Sequence, residues 1–136
     1  MLERKNLNPQ GLAIRRLGGH ALYSHVVSIR APRFIYISGQ LSRNEAGEVV
    51  GRGDMRAQIE QVGKNLAACL RAADASLNDL VKTTTFTTDI DLFFKFPDER
   101  AKALGPALPT SSTVEVRRLS DPDFLVEIEA VAAVES

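Results

Sequence analysis

The sequence is poor in cysteine, with only Cys69 in 136 residues. A single cysteine excludes an intrachain disulfide framework and a cysteine-rich metal site, which favours a reducing compartment. Long apolar runs are also missing, because no segment approaches the roughly 20 apolar residues of a membrane span. The opening stretch, MLERKNLNPQ, has no apolar core of the kind that a secretory signal carries. These absences predict a cytoplasmic protein without a membrane partner.

An excess of charge of either sign is absent as well. Seventeen basic residues balance seventeen acidic ones, so the chain as a whole has no field that would draw it to nucleic acid or to an anionic membrane. We therefore expect no nucleic-acid partner. The hydrophobic share of 44% and the length suit one globular domain over residues 1–136.

Two short strands are predicted near the start of the chain. The stretch YSHVVSIRAPRFIYISGQ is rich in β-branched and aromatic residues, and it is divided by Pro32, which cannot lie inside a paired strand. We place these strands at about residues 24–29 and 34–37. The polar, glycine-containing residues 41–54 are predicted to form a loop.

A helix is predicted after this loop, with Asp54 as its N-cap. From there to Ala73, apolar residues recur at steps of three and four, which is typical of a helix with one buried face. Cys69 lies on that apolar stripe and is predicted to belong to the core. Gly63 indicates close packing against a neighbouring element.

The second half of the chain predicts another strand, a second helix and two final strands. LVKTTTFTTDI predicts a strand at about Leu80–Thr88, and STVEVRR and FLVEIEAVAAV predict the last two. The helical segment between them ends at Gly105, and Pro97 requires that it begin near Phe96 or be broken there. The order β-β-α-β-α-β-β, with two hairpin-like pairs, predicts an α+β fold in which two helices cover one face of a mixed sheet.

Alternation along the last two strands predicts which residues face the helices. The residues predicted to face the helices are Val114, Val116, Ser112, Val126, Ile128 and Ala130. The other side receives a mixture of hydroxyls, charges and apolar residues: Ser111, Thr113, Glu115, Arg117, Leu125, Glu127, Glu129 and Val131. This outer face is either a solvated surface or an oligomer interface with polar clefts along it.

Some polar residues of the sequence are candidates for ligand binding, catalysis or metal binding. Ser111 and Thr113 have the chemistry to hydrogen-bond a polar ligand, or they are only the polar start of a strand. Covalent catalysis by these hydroxyls is disfavoured, because neither His20 nor His25 lies in a recognisable triad context. Two histidines five residues apart, without a third ligand motif, are weak evidence for a metal site.

Four stretches together resemble a known family. ISGQL at residues 37–41, LVKTTTFTTDI at 80–90, PTSSTVEV at 109–116 and LVEIEAVA at 125–132 resemble, in that order, signature stretches of the Rid/YjgF family. Its members are reactive-intermediate deaminases, also described as endoribonuclease L-PSP-like proteins. The resemblance implies a chorismate-mutase-like α+β fold and a homotrimer. In that trimer the outer sheet faces form a central barrel with three clefts between subunits.

The resemblance also implies an activity. Deaminases of the family hydrolyse small-molecule enamines and imines to ammonia and a 2-keto acid, with no metal or organic cofactor. On the matching positions, Tyr23 is placed at the cleft, and the backbone of Gly39 approaches the ligand. Thr113 stands where the family commonly has cysteine or threonine, and Glu127 matches the glutamate that positions the attacking water.

Ser111 is the main departure from the family pattern. The deaminases have an arginine here that binds the substrate carboxylate, and a serine hydroxyl is neither charged nor bidentate. The chain thus resembles the arginine-less subgroups of the family.

Two functions remain open: hydrolysis of an imine other than the usual small 2-imino acids, or a non-catalytic trimer that binds or senses a metabolite. Glu127 is either the water-orienting carboxylate or part of an interfacial salt bridge, for example to Arg117. Ribonuclease activity is disfavoured by the balanced charge and the lack of a basic-aromatic stripe.

Overall fold

The computed structural model describes residues 2–136, which form eight strands, three α-helices and one 3₁₀ turn. The strands are β1 (Glu3–Leu7), β2 (Arg16–Leu17), β3 (His20–Ala21), β4 (Val26–Arg30), β5 (Arg33–Leu41), β6 (Leu80–Thr87), β7 (Thr110–Glu115) and β8 (Val126–Val134). The helices are α1 (Met55–Ala72), α2 (Ile90–Phe93) and α3 (Pro97–Leu104), and the 3₁₀ turn at Leu77–Asp79 leads into β6. The predicted helices and strands of the second half are confirmed to within a few residues.

A mixed four-stranded sheet forms the centre of the fold, with strand order β5-β8-β6-β7. Strands β6 and β7 run parallel, whereas β8 is antiparallel to both β5 and β6. The predicted α+β class is confirmed. The predicted hairpin pairs are wrong: β4 pairs with the N-terminal β1, and β8 inserts between β5 and β6 instead of pairing with β7. The two strands at the open edges of the central sheet are therefore β5 and β7.

Helix α1 packs on one face of this sheet. Its start is fixed by Asp54, whose Oδ1 accepts a hydrogen bond from the Ala57 backbone N–H at 3.1 Å. The buried side of the helix meets the inward residues of the sheet in one core. The fully buried members with the largest side chains include Phe93, Phe124, Met55, Ile59, Leu66, Leu70, Leu80 and Ile128. Cys69 packs against this core but is only partly buried.

The second helical region is broken at Pro97, one of the two predicted outcomes. Helix α2 ends at Phe93, and α3 begins with Pro97 in its first turn, where the missing N–H removes no helical hydrogen bond. Gly105 ends α3 with a φ of 70°. This break turns α3 across the sheet toward β7. None of the helices within residues 2–136 is both long and apolar enough to cross a membrane.

Gly63 lies where α1 packs closely against Ala103 of α3, and the close packing that this glycine indicated is confirmed. A Cβ on Gly63 would lie 2.7 Å from the Ala103 Cβ. We expect Gly63→Ala to lower the free energy of unfolding by about 1–3 kcal/mol, because the overpacked helices must separate. This loss outweighs the roughly 1 kcal/mol by which alanine exceeds glycine in intrinsic helix propensity. Urea denaturation measures the net change in the free energy of unfolding.

The control for this substitution is Ala68, which is exposed on the same helix. Ala68→Gly removes a Cβ where only helix propensity is at stake, so we expect a loss of about 1 kcal/mol. The same methyl group is therefore stabilising at residue 68 and destabilising at residue 63. A Gly63→Ala variant as stable as the parent would contradict the close helix packing.

Candidate functional site

The two faces of β7 are reversed relative to the alternation-based prediction. Ser111 and Thr113 lie opposite the buried Thr83 and Thr85 of β6 and continue their row on the helix side of the sheet. Val114 points to the outer face and is 43% exposed. The prediction assumed that the apolar residues of the strand mark the helix side. That assumption fails here because the outer face is itself partly apolar. The facing of Glu127, Glu129 and Val131 in β8 is as predicted, whereas Leu125 packs against the core.

A pocket on the helix side unites three of the predicted site residues. Tyr23, Ser111 and Thr113 line a cavity of about 220 Å³ between β7, the start of α3 and the β2–β3 hairpin. Two cations that the sequence reading did not single out also line it, Arg15 and Arg100. The volume is below the roughly 300–1,000 Å³ of drug-sized sites, so the pocket suits a small metabolite.

Arg100 projects from α3 and is 6% exposed. Its Nη2 donates a hydrogen bond to Ser111 Oγ at 3.2 Å, and its guanidinium lies over the Phe93 ring at 5.5 Å. Its Nε–H has no acceptor among residues 2–136. Burial lowers the pKa of the Arg100 guanidinium, and the positive charge of Arg15 lowers that pKa further. An uncompensated buried charge costs several kcal/mol, and a buried unpaired donor costs about 1–3 kcal/mol.

The rest of the pocket is built by the hairpin that crosses α3. Gly18 and Gly19 form its turn with φ values of 56° and 78°. The backbone N–H of Arg15 donates to the Tyr23 hydroxyl at 3.0 Å, which fixes the phenol at the mouth. The Arg15 guanidinium lies 4.6 Å from the centre of the Phe94 ring. This cation–π contact holds a second positive charge beside the pocket.

Glu127 and Gly39 form a second, separate group. Glu127 lies on the outer face of β8 and is half-buried. Gly39 lies on edge strand β5, where any side chain would collide with the Glu127 carboxylate. A side chain at residue 39 would therefore displace the Glu127 carboxylate from this position. Within residues 2–136 Glu127 makes no ion pair, to Arg117 or to any other cation.

The predicted site residues thus fall into two half-sites in one chain. The first, at the β7 edge and on the helix side, holds Tyr23, Ser111 and Thr113. The second, beside the β5 edge and on the outer face, holds Gly39 and Glu127. The edge strand β5 also exposes apolar side chains, with Tyr36 80% and Phe34 45% exposed. One chain alone does not assemble the predicted cleft.

The two histidines lie away from any cluster of metal ligands. His25 Nε2 lies 2.8 Å from the Ala13 carbonyl oxygen, and its ring meets the Tyr23 ring edge-on. His20 pairs with Leu17 in the β2–β3 hairpin. Across residues 2–136 no three His, Cys, Asp or Glu side chains are grouped in a way that could hold a metal ion.

Comparison with known proteins identifies the family. The model of the family described as Endoribonuclease L-PSP matches residues 13–134. The chain belongs to this family. A RutC family protein of Pyrococcus horikoshii is 41% identical over 106 residues, 77% of this chain and 82% of the relative. The protein AldR of Lactococcus lactis, named as a candidate regulator, is 37% identical over 103 residues, 75% of this chain and 80% of AldR.

Solved structures agree with this assignment. The crystal structure of YyfB from Yersinia pestis, described as a protein of unknown function of the conserved Rid protein family, superposes with a TM-score of 0.82. It is 31% identical, and the match covers 96% of this chain and 98% of that one. The resemblance to the Rid/YjgF family in four sequence stretches is therefore confirmed, and the observed fold is the family's fold.

Arg100, like Arg15, is a pocket residue of this Rid-family chain that the sequence did not lead us to predict. The signal was present: Arg100 interrupts the apolar stripe formed by Phe93, Phe96, Ala103 and Leu104 at steps of three and four. A charge on a buried stripe of a short helix indicates either a paired ion or a ligand site. The guanidinium of Arg100 reaches from α3 to Ser111 of strand β7, to which it donates a hydrogen bond.

Proposed function

We propose that this chain is an imine or enamine hydrolase of the Rid type, a deaminase without a metal or organic cofactor. Water adds to the carbon of the C=N bond, the resulting carbinolamine loses ammonia, and a carbonyl product remains. Such a reaction needs an acceptor that aligns the water and a proton that reaches the leaving nitrogen. The substrate is a small molecule, as the volume of the pocket indicates.

The unpaired Glu127 carboxylate is the observation that carries this proposal. A carboxylate without an ion-pair partner is free to accept a hydrogen bond from water and later to return the proton. Its half-buried position limits competing solvent, and its carboxylate lies against the backbone of Gly39. The geometry therefore supports Glu127 as the water-orienting group.

A closed homotrimer is part of the proposal, because it would unite the two half-sites. The central sheet leaves β5 and β7 as open edges, which natural proteins rarely leave unprotected. A cyclic arrangement that places the β7 edge of one copy beside the β5 edge of the next brings Ser111 and Thr113 toward the next copy's Gly39 and Glu127. The same arrangement covers the exposed Tyr36, Phe34 and Val114 of the outer faces.

The substrate is proposed to differ from the usual small 2-imino acids. Ser111 offers a hydroxyl where the deaminases have the guanidinium that clamps the substrate carboxylate next to the C=N bond. Loss of that contact at the strand costs about 2–5 kcal/mol for such a substrate, the range found for broken buried charge pairs. A substrate with its anionic group elsewhere, or a bulkier conjugated one, avoids this cost.

Ammonia release from imines tests the function. We expect the purified protein to accelerate hydrolysis of at least one cyclic or conjugated imine above the uncatalysed rate, and to act more weakly on 2-aminoacrylate generated in situ. Ammonia is measured by a coupled assay with the imine-generating enzyme in excess. If neither 2-aminoacrylate nor any imine of the panel is hydrolysed faster than in buffer, the proposal is wrong.

A non-catalytic, metabolite-binding trimer is the second candidate. It is favoured by the 37% identity to AldR of Lactococcus lactis, which is named as a candidate regulator. It predicts a saturable ligand with no turnover, so turnover that depends on Glu127 contradicts it. The ribonuclease function in the family's description is not carried over to this chain, because its balanced charge supplies no field for RNA.

A further inference from the structure

Arg100 is a buried cation with no ion-pair partner among residues 2–136. No acidic side chain within residues 2–136 forms an ion pair with it, although the adjacent Glu99 pairs with Arg56 on α1. Its side chain donates a hydrogen bond to the neutral Ser111 hydroxyl. Natural interiors rarely retain a buried charge without a partner, so an anion from outside the chain is the expected complement.

Arg15 adds a second positive charge at the same pocket. It lies close enough to Arg100 to lower the pKa of that guanidinium, and stacking on Phe94 keeps it there. The remaining lining is neutral: a phenol, two hydroxyls and aromatic or aliphatic carbon. Two cations and no carboxylate in a space of about 220 Å³ create a strongly positive, small and half-enclosed site.

We propose that Arg100, with Arg15, binds the carboxylate of a small organic acid in this pocket, and that Ser111 and Tyr23 add hydrogen bonds to it. A planar guanidinium matches a carboxylate in a paired, oriented contact. The inference rests on the proposed function, because it names the substrate class for that cleft. The substrate is an imino or oxo acid whose carboxylate is held from the helix, displaced from the strand position.

The displacement has a chemical consequence. A carboxylate held by the strand residue sits one carbon from the reacting C=N bond, as in 2-imino acids. A carboxylate held by Arg100 of α3 lies farther from the reacting carbon of the substrate, or it enters the pocket at another angle. The pocket therefore favours acids in which one or more carbons separate the carboxylate from the C=N or C=O carbon.

A measurement of ligand binding tests this inference independently of the proposed catalysis. Calorimetric titration of the intact protein uses pyruvate and 4-oxopentanoate, each compared with its neutral amide, and inorganic phosphate. We expect 4-oxopentanoate to bind more tightly than pyruvate, and each acid to bind on the order of ten- to a hundredfold more tightly than its amide. This comparison needs no variant and no turnover, so it stands even if the protein hydrolyses no imine.

Three variants assign the effect to Arg100. Arg100→Met should remove the preference for acid over amide, and Arg71→Met, at an exposed position of α1, should leave it unchanged. Arg100→Met with Ser111→Arg returns a guanidinium to the strand, which should restore acid binding and shift the preference toward pyruvate. Removal of an unpaired buried charge should also raise the melting temperature of the ligand-free protein.

Defined outcomes overturn the inference. Acids that bind no better than their amides, or an unchanged preference in Arg100→Met, would show that no carboxylate meets this guanidinium. If inorganic phosphate bound more tightly than either acid, the ligand of this pocket would carry a phosphate group and not a carboxylate. Dissociation of the oligomer in Arg100→Met would show that a carboxylate of a second copy is the partner, in place of a ligand.

Discussion

Replacement of Glu127 by Gln is expected to lower imine turnover by roughly 10²–10⁴-fold, the range for loss of a positioned general base. The amide has the shape of the carboxylate but cannot take a proton from water. Because the side chain fills the same volume beside Gly39, binding of a carboxylate ligand and the melting temperature should change little. Steady-state ammonia release and the titration described above measure the two effects separately.

Glu129 provides the matched control for this substitution. It lies two residues along the same strand, on the same outer face, and it lines a groove with Tyr36 and Lys82. Glu129→Gln makes the same chemical change and should keep turnover within a few-fold of the parent. Equal losses of turnover in the two variants would show that the negative charge of the outer sheet face, and not Glu127 itself, supports the reaction. Unchanged turnover in Glu127→Gln would remove Glu127 from the mechanism.

The helices and the long strands were predictable because their signals are local. The Asp54 cap, the three- and four-residue spacing after it and the Pro97 break each depend on neighbouring residues only. Strand pairing is a long-range property and was predicted less well. Strand β1 is polar and exposed, and it gains its place by pairing with β4, up to 27 positions away. The β2–β3 hairpin did carry a local signal, the Gly18-Gly19 turn, which the reading overlooked.

The two faces of β7 show why alternation is insufficient at an interface. The alternation of residues divides a strand into two faces. It shows which of them is buried in the core only when the other face is polar. Here Val114 and the aromatic residues of β5 make the outer face apolar too, so the assumption that Val114 faces the helices gave the wrong side. The family resemblance selected Tyr23, Ser111, Thr113, Gly39 and Glu127, and their division between two edges could come only from the structure.

A cleft shared between copies predicts subunit complementation. Glu127→Gln supplies an intact Arg100 half-site, and Arg100→Met supplies an intact Glu127 half-site. Each variant alone is expected to be nearly inactive. If neighbouring copies contribute one half-site each, random mixing in equal amounts leaves both half-sites intact in about a quarter of the clefts.

Co-expression of the two variants with different affinity tags, followed by tandem purification, gives mixed assemblies of the proposed trimer for this measurement. Their turnover should recover to roughly a quarter of the parent value, somewhat more once pure homotrimers are removed by the two tags. A double variant carrying both substitutions in one chain, mixed with itself, should recover nothing. Mixed trimers as inactive as the separate variants would place both half-sites of a working cleft in the same chain. That arrangement would require Glu127 and Arg100 to act across the sheet, and their positions on opposite faces of it speak against this.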